Sequence, residues 1–399
     1  MESGGIHFIM ENILSNRSKT NMRINKETLK VFAVQLFILH LKFIYFFLKL
    51  FPTKNQVAFI SRQSASPSID FEMLIEQLKL DQDKTSVVIL CKQMKKSKLG
   101  AMLYYFHILK QSYVIARSRV CVIDTYIIPI SVLKHKKSLR VIQIWHAIGK
   151  MKKSGYQTLD KQGGRDRQLS KALKMHRNYD YIIAGASYWN TYYCESFNVA
   201  EDKIKNFGLP RMDYLLKNND QLERKIKNKY TRLNNGKKNV LYAPTFRRTR
   251  AADINGFLRY FNHEKFNLIV KIHPHDTHQE VIDDKRVLLI EDYTATQLLS
   301  LTDYLVTDYS SIAFEAALVD VKTFFYLHDY EKYVEENGLN LDVKKRVPSL
   351  VRVNAQSIND ALNSEVYDGK TFEKFKKLVL PKKFGNATEN IVDLIESNL

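Results

Sequence analysis

The chain has 399 residues, of which 45% are hydrophobic and 26% are charged, so it is long enough for two folded domains and is not a disordered chain. Lysine and arginine (62) outnumber aspartate and glutamate (42), and the formal net charge of +20 favours an anionic partner: nucleic acid, membrane or phosphorylated substrate. The three cysteines have no CxxC spacing, and we expect Cys91 and Cys121, which lie in apolar runs, to be buried thiols in a reducing compartment.

The N-terminal extension, residues 1–52, begins with a polar stretch that lacks the layout of a signal peptide. The segment 29–51 is apolar and long enough to span a bilayer, but Gln35, Lys42 and Lys49 place a polar stripe along it. Such a stripe favours a helix that lies on a membrane surface. A helix packed on the protein and a true span are the alternatives. Nearby basic residues favour an anionic cytoplasmic leaflet.

The region 53–216 alternates short apolar runs with helical patterns, which predicts a parallel α/β domain. The predicted strands are 57–62, 86–92, 119–125, 139–146 and 179–186. A polar, charged stretch at 217–238 predicts a linker with a helix inside it.

The alternation resumes over 239–399, which predicts a second α/β domain that ends in an amphipathic helix from residue 387. The predicted strands are 239–245, 266–274, 286–292, 303–308 and 322–329. The predicted fold is therefore α/β: two doubly wound, Rossmann-like domains that face a cleft, with an N-terminal apolar basic helix. In such sheets ligands bind at the carboxyl ends of the strands.

The predicted strand at 139–146 ends on His146, and a tight Ala-Ile-Gly turn follows that would expose the ring. A neutral imidazole at the edge of a cleft is typical of a general base near neutral pH. A core histidine capped by a backbone carbonyl is the structural alternative. Lys150, Lys152 and Lys153 would supply positive potential for an anionic substrate, with a solvated helix face as the alternative.

Thr245 and Arg247 stand at the end of the first predicted strand of the second domain, followed by Arg248. Arginine suits phosphate because its planar fork donates two hydrogen bonds at once, although surface arginines are the alternative.

His273 ends the next predicted strand. Together with His275 and His278 it invites a metal site, but no second cluster of Cys, Asp or Glu stands at ligand spacing. We therefore predict no metal site and expect His273 alone to face the cleft.

The stretch VTDYSSIAFEAALV (306–319) predicts a strand, then Asp308, then Ser310 and Ser311, then a helix. Hydroxyls and free N–H groups at the start of a helix form an anion site, and plain N-capping is the alternative. Glu315, one turn into the helix, could reach a ribose.

Six stretches in this order resemble one known family. They are IWHAIGKMKKSGY (144–156), FGLPRMD (207–213), LYAPTFR (241–247), KIHP (271–274), VTDYSSIAFEAAL (306–318) and FFYLHDYEKY (324–333). These stretches resemble motifs of the CDP-glycerol glycerophosphotransferases that build teichoic acids, whose two-domain fold is called GT-B. Ala147 stands where the commonest spelling has glycine, which puts the identity of the acceptor in doubt.

The resemblance implies that His146 takes a proton from an acceptor hydroxyl. That hydroxyl attacks the β-phosphorus of CDP-glycerol or CDP-ribitol, and CMP leaves. The resemblance also implies that His273 contacts the pyrophosphate and that phosphates are held by Arg247, Ser310 and Ser311. Pro210 and Arg211 would lie near the nucleotide at the hinge between the domains.

The implied acceptor is a phosphate-rich chain on an undecaprenyl diphosphate lipid, in teichoic acid or related cell-surface polymer synthesis. With the basic, apolar N-terminus, this predicts a peripheral protein on the cytoplasmic side of the cell membrane. No cofactor is predicted, and the need for a divalent metal stays open, as does the choice between glycerol and ribitol.

Two rival functions remain from the sequence. A GT-B glycosyltransferase that uses a nucleotide sugar would have the same fold. A nucleic-acid-binding protein would fit the charge, but no RNP, KH or zinc-finger pattern is present. We therefore predict no nucleic-acid partner.

Overall fold

The computed structural model describes residues 26–81, 85–95, 97–217, 219–247, 251–272 and 282–399. Within them lie two parallel six-stranded sheets flanked by helices, which confirms the predicted α/β architecture of two domains. Arg248 and the predicted site residue His273, with its neighbours His275 and His278, lie outside the described residues.

The first sheet has the strand order β2-β1-β3-β4-β5-β6, with every pair parallel. Its strands are β1 (Gln56–Ser61), β2 (Ser86–Cys91), β3 (Val120–Ile123), β4 (Arg140–Gln143), β5 (Tyr181–Ile183) and β6 (Ile204–Lys205). The helices that accompany them are α1 (Lys26–Leu48), α2 (Ile69–Asp81), α3 (Lys98–Arg117), α4 (Ile128–Val132), α5 (Arg167–Ala172), α6 (Asn190–Phe197) and α7 (Pro210–Leu216).

The second sheet has the order β12-β11-β10-β7-β8-β9 and is also parallel. Its strands are β7 (Lys238–Tyr242), β8 (Phe266–Val270), β9 (Val287–Leu289), β10 (Tyr304–Thr307), β11 (Lys322–Tyr326) and β12 (Val351–Arg352). The helices of this half are α8 (Asp220–Lys229), α9 (Ile254–Tyr260), α10 (Ala295–Leu298), α11 (Ile312–Leu318), α12 (Tyr330–Glu336), α13 (Val343–Arg346), α14 (Ala355–Ser364), α15 (Gly369–Val379) and α16 (Ala387–Glu396).

Each sheet reverses its winding direction at one point. In the first sheet β1 lies between β2 and β3, and in the second β7 lies between β8 and β10. The chain therefore leaves the adjacent strands β1 and β3, and likewise β7 and β10, toward opposite faces, which opens a crevice at their carboxyl ends. Both reversal points bring polar residues to the cleft.

Strands β5, β6 and β12 have only two or three residues, and β6 and β12 were not predicted from the sequence. Both lie at an edge of a sheet, where a strand has one neighbour instead of two. Two residues carry no period-two pattern, so the sequence offers no signal for them. Strand β1, which lies inside its sheet, is buried along its whole length and was predicted to within one residue.

Helix α1 lies along the first domain and contacts α3 and α5. It buries Val34, Ile38, Leu41 and Tyr45, a row with helical spacing, and the Tyr45 hydroxyl is 2.9 Å from His135 Nδ1. Among the described residues, α1 is a helix long and apolar enough to cross a bilayer by length and composition. It is therefore packed on the protein along one side, while its other side remains apolar and exposed.

The C-terminal helix α16 returns to the first domain and packs on α2 and α7. Thr388 donates its backbone N–H and its hydroxyl to Asp213 Oδ2, each at 2.7 Å. The Trp189 indole N–H donates to the carbonyl of Val379 at 2.9 Å. These contacts join the C-terminal part of the chain to the first domain.

The three cysteines are unpaired. Cys121 is buried, as the sequence predicts, whereas Cys91 is only half-buried because β2 forms the edge of its sheet.

Candidate active site

A cavity of about 650 Å³ lies between the two domains. Its walls contain a majority of the side chains that the sequence analysis selected: His146, Lys152, Lys153, Thr245, Arg247, Ser310 and Ser311. Four others lie outside its lining: Asp308, Glu315, Pro210 and Arg211. The cavity therefore brings together predicted site residues from both domains.

The backbone around Trp145 turns His146 toward the cavity. Strand β4 ends at Gln143, three residues before the predicted end, and Trp145 takes a left-handed conformation with φ 57°. This conformation is rare for a bulky residue and is held by the Gln143 side chain, which accepts the Trp145 N–H at 2.8 Å. Gly149 ends the turn, where a Cβ would lie 2.4 Å from the Trp189 ring.

The imidazole of His146 is anchored through Nδ1, which lies 3.2 Å from the backbone carbonyl of Asp124. The side-chain amide of Gln63 lies 3.1 Å from the same nitrogen. The Asp124 carbonyl can only accept a hydrogen bond and the Gln63 amide nitrogen can only donate one, so the two contacts favour opposite tautomers. In the tautomer that the carbonyl selects, the proton sits on Nδ1 and the lone pair of Nε2 is left for the cavity. The ring is thus capped by a carbonyl and lines the cavity, so it combines both readings that the sequence allowed.

Burial lowers the pKa of His146 to about 3, the bond to the Asp124 carbonyl raises it, and the charges of Lys150, Arg211 and Lys152 lower it. The imidazole is therefore neutral at physiological pH. The neutral form is the one that a general base requires.

Lys150 is not on a solvated helix face. It is 3% exposed, and its ammonium lies 4.2 Å from the centre of a Trp145 ring and 4.4 Å from that of Phe197. It donates to Ser154 Oγ at 2.7 Å, and burial lowers its pKa well below the ordinary value. Lys150 therefore supports the indole of Trp145, whose ring centre lies 4.1 Å from that of His146 with the two ring planes tilted by 35°.

Lys152 and Lys153 lie where the loop after β4 crosses to the second domain. Lys152 forms an antiparallel bridge with Leu339, and the Lys153 N–H donates to the carbonyl of Gly338 at 3.2 Å. Burial lowers the pKa of Lys152, while the charge of Asp308 raises it. These lysines therefore bring positive charge to the junction of the two walls.

The second-domain wall is held by a buried ion cluster around Arg247. Its guanidinium lies 2.8 Å from Asp308 Oδ2 and 2.7 Å from Asp329 Oδ2, and it donates to the carbonyl of Thr245 at 2.8 Å. Asp308 also accepts the backbone N–H groups of Thr245 and Tyr309, at 2.8 and 2.6 Å. Arg247 and Asp308 therefore shape the ends of β7 and β10, and phosphate contact by Arg247 stays a prediction.

Two kinds of hydroxyl face the cavity on this wall. Ser310 and Ser311 precede α11. The Ser311 side chain makes no N-capping hydrogen bond, whereas Ser310 Oγ accepts the Ile312 N–H at 3.5 Å. The Thr245 hydroxyl is buried and has no hydrogen-bond partner. Hydroxyls that the protein leaves unpaired are suited to bind a substrate oxygen.

Arg211 and Glu315 pair with each other across the domain interface. Arg211 Nη1 lies 3.0 Å from Glu315 Oε1, and Arg211 Nε donates to Asp70 Oδ2 at 2.8 Å. The Thr296 hydroxyl donates to the other Glu315 oxygen at 2.5 Å. In this structure both side chains hold the domains together, and Glu315 is not placed at the cavity where we expected it to reach a ribose.

Replacing Glu315 by glutamine is expected to destabilise the protein by about 1–3 kcal/mol, because a buried guanidinium loses a charged partner. The KM for the donor should change little. Thermal unfolding and steady-state kinetics check both. Glu331→Gln is the control, since Glu331 pairs with Lys344 on the surface. Unchanged stability together with a strongly raised donor KM would contradict this assignment in favour of a ribose contact.

No group of three or more His, Cys, Asp or Glu side chains is placed to hold a metal ion among the residues that the structure describes. The histidine cluster at 273–278 lies outside them. The need for a divalent metal therefore stays open.

The sequence analysis missed several residues that the structure places at the site, among them Gln63, Trp145 and Asp329. Gln63 directly follows the predicted strand 57–62, so an inspection of every strand end would have found it. Asp329 contacts the site only because β11 lies next to β10, which spacing along the chain does not reveal.

The two facing parallel α/β domains define a GT-B-type fold, and the cavity between them is the candidate active site. The chain belongs to the CDP-Glycerol:Poly(glycerophosphate) glycerophosphotransferase family, whose model matches residues 42–397. Among curated relatives, the teichoic acid ribitol-phosphate primase of Bacillus spizizenii is 29% identical over 86% of this chain and 92% of that protein. The teichoic acid glycerol-phosphate primase of Bacillus subtilis is 27% identical over 73% of this chain and 77% of that protein.

Solved structures confirm the fold. The wall teichoic acid polymerase TagF is similar with a TM-score of 0.66 and 17% identity, over 93% of this chain and 98% of that one. The UDP-GlcNAc 2-epimerase of Methanocaldococcus jannaschii follows with a TM-score of 0.56 and 12% identity, over 86% and 99%. The second likeness shows that this fold also serves other nucleotide-linked substrates.

Proposed function

We propose that this enzyme transfers glycerol phosphate or ribitol phosphate from a CDP-alcohol to a hydroxyl group of a lipid-linked acceptor and releases CMP. The observation that carries the proposal is the neutral imidazole of His146, anchored through Nδ1 and facing a cavity shared with the hydroxyls of the second domain. Membership in the family and the similarity to teichoic acid primases support it.

The proposed reaction is an in-line displacement at the β-phosphorus. His146 Nε2 accepts the proton of the acceptor hydroxyl as the oxygen forms its bond to the β-phosphorus. The bond from that phosphorus to the bridging oxygen breaks, and the electron pair leaves with CMP. Lys152 and the hydroxyls of Ser310 and Ser311 line the cavity where the negative charge develops.

Support for the donor comes from both walls of the cavity. Its positively charged lining suits a pyrophosphate, and a TagF variant has been soaked with CDPG. The relatives include both ribitol-phosphate and glycerol-phosphate enzymes, so both donors belong in the first assay.

The groups that we propose to act in the reaction are all side chains, and we propose no resident cofactor. Assays with EDTA and with added Mg²⁺ check the metal requirement.

The first assay measures CMP release by purified protein with CDP-glycerol, CDP-ribitol and UDP-sugars, each with a crude lipid acceptor. CMP from one CDP-alcohol names the donor. Release of UDP from a nucleotide sugar, without CMP from either CDP-alcohol, would overturn the proposal and favour a glycosyltransferase.

We also propose that α1 and α3 seat the enzyme on the cytoplasmic surface of the cell membrane, where an undecaprenyl-diphosphate-linked acceptor would lie. Both helices expose large apolar side chains: Phe32, Leu36, Leu39, Phe43, Phe46 and Phe47 on α1, and Leu99, Met102, Leu103 and Phe106 on α3. Lys42, Lys98 and Lys110 are exposed on the same two helices. An apolar surface with basic residues suits an anionic bilayer.

The double variant Phe43→Ser/Phe47→Ser is expected to weaken binding to anionic liposomes by about tenfold or more. The variant lacks two phenyl rings that would move from water into the bilayer on binding. Co-sedimentation at several salt concentrations measures the effect. Phe384→Ser is the control, since Phe384 is 49% exposed on the loop before α16. Equal binding by the double variant and the control would contradict the proposal that α1 contacts the membrane.

A further inference from the structure

The proposed donor contacts use only part of the first-domain half of the cavity. Thr245, Ser310 and Ser311 come from the second domain, whereas Thr125, Tyr126 and Arg165 line the cavity from the first. The reaction brings two anionic substrates together at His146. If the donor phosphates lie on the second-domain wall, the acceptor must approach along the first-domain wall.

Thr125 stands at the reversal point of the first sheet, directly after β3 and Asp124. It is 5% exposed, it lines the cavity, and its hydroxyl has no hydrogen-bond partner. Asp124 Oδ1 is also unpaired, although the hydroxyl is close enough to lower the pKa of that carboxyl. A buried hydroxyl without a partner destabilises the fold, so its position at the cavity points to a ligand.

Arg165 is held in place by the aromatic ring of Tyr126. Its guanidinium carbon lies 4.8 Å from the ring centre, and the Tyr126 hydroxyl donates to the carbonyl of Leu173 at 2.8 Å. The backbone carbonyl of Arg165 accepts the N–H of Asp160 at 2.9 Å. The fork of an arginine matches phosphate oxygens, and a fixed ring beneath it reduces the entropy lost on binding.

The loop that carries Arg165 is closely packed. At Gly164 a Cβ would lie 1.6 Å from the carbonyl oxygen of Thr158, so a side chain there has no room. The Gly163 N–H donates to the carbonyl of Glu336 at 3.1 Å, which ties this loop to the second domain. Because both domains hold the loop, Arg165 keeps a fixed position relative to His146.

The charge of the lining fits a second phosphate. Five lining residues carry a cationic side chain (Lys150, Lys152, Lys153, Arg165 and Arg247) and one, Glu336, carries a carboxylate. Arg165 belongs to the first-domain half of this lining, where its guanidinium lies over the Tyr126 ring.

We propose that Thr125 and Arg165 form an acceptor subsite that binds the phosphodiester next to the reacting hydroxyl of a polyol-phosphate chain. This inference rests on the proposed function and assigns the acceptor side of the same cavity. Arg165 would pair with the phosphodiester, and the Thr125 hydroxyl would hydrogen-bond to an oxygen of the same acceptor unit.

The test is Arg165→Gln, with Arg167→Gln as a matched control two residues away. Arg167 is exposed and pairs with Asp160 at 2.7 Å. We expect Arg165→Gln to raise the acceptor KM by about tenfold or more and to leave the KM for the CDP-alcohol unchanged. Arg167→Gln should change neither. An unchanged acceptor KM, or an equal rise of both KM values, would overturn the subsite.

Two threonine variants test the same assignment without removing a charge. Thr125→Val should raise the acceptor KM alone, and Thr245→Val, which removes the unpaired hydroxyl of the opposite wall, should raise the donor KM alone. Thr245→Val should leave the melting temperature unchanged, because that hydroxyl has no partner to lose. Thr125→Val should lower it only slightly, because the interaction lost is the one with the nearby Asp124 carboxyl. A fall in melting temperature of Thr125→Val with no change in KM would show that this hydroxyl serves the fold.

A binding measurement separates this inference from the proposed function. Calorimetry with a soluble glycerol-phosphate trimer should show binding that Arg165→Gln weakens by about tenfold and Arg167→Gln does not. Absence of CMP release from every CDP-alcohol would defeat the proposed function, whereas trimer binding that is independent of Arg165 would defeat the subsite.

Discussion

Replacing His146 by alanine is expected to lower kcat by about 10²–10⁴-fold, because a positioned general base contributes about that much to a proton transfer. The residue is anchored at Nδ1 and faces the cavity with Nε2, so its loss removes the proton acceptor without removing a charge pair. CMP release with saturating donor and acceptor measures the effect. Donor binding, followed by calorimetry with CDP, should stay within a few-fold of the native value.

His107→Ala is the control for this variant, because His107 lies in α3 and outside the cavity lining. Its activity should be close to that of the native enzyme. If His146→Ala retained full activity, His146 would not be the base, and the assignment of the reaction to this part of the cavity would be wrong.

The pH profile gives a second readout of the same residue. Because the folded-state pKa of His146 is lowered to about 3, the reactive neutral form is lost only as the pH falls toward that value. His146 should therefore produce no acidic limb in kcat/KM between about pH 5 and 8. Burial raises the pKa of Asp124 to about 7, so a limb near neutral pH would belong to that carboxyl and would vanish in Asp124→Asn.

Replacing Arg247 by alanine should cost about 3–5 kcal/mol of the free energy of unfolding, because it leaves two buried carboxylates without a counter-charge. The side chains of Arg247, Asp308 and Asp329 are 2%, 3% and 9% exposed, so water cannot replace the guanidinium. Denaturant unfolding of the purified protein measures the loss. We expect activity to fall as well, since Asp308 positions the backbone of Thr245.

Arg286→Ala is the control for the loss of an arginine–aspartate pair. Arg286 is 66% exposed and lies 2.8 Å from Asp284, so its removal should cost less than about 1 kcal/mol. A stable Arg247→Ala variant with a strongly raised donor KM would show that the guanidinium binds the donor phosphates instead of supporting the wall.

The placement of His146 shows how far sequence reasoning extends. The apolar run before it predicted a strand, and the Ala-Ile-Gly turn after it predicted an exposed ring. The strand ends earlier, at Gln143, because Trp145 adopts a left-handed conformation stabilised by the Gln143 side chain. Hydrophobic periodicity locates a strand but does not report the φ angle of one residue beyond its end.

Arg211 and Glu315 mark the opposite case. Each stands in a stretch that resembles a family motif, and both were expected near the nucleotide. The structure pairs Arg211 with both Glu315 and Asp70, which are far from it in the chain. The positions of polar residues near strand ends were predictable, whereas their partners across the interface were not.

The sequence by itself determined the alternating α/β pattern, the apolar basic N-terminal helix and the strand-end residues His146, Thr245, Ser310 and Ser311, because these depend on local periodicity and on short motifs. Only the tertiary structure decided which of them share a cavity, which hydroxyls remain unpaired and which charges neutralise each other. Those properties depend on contacts between residues distant in sequence, which arise only when the two reversal points face each other across the cleft.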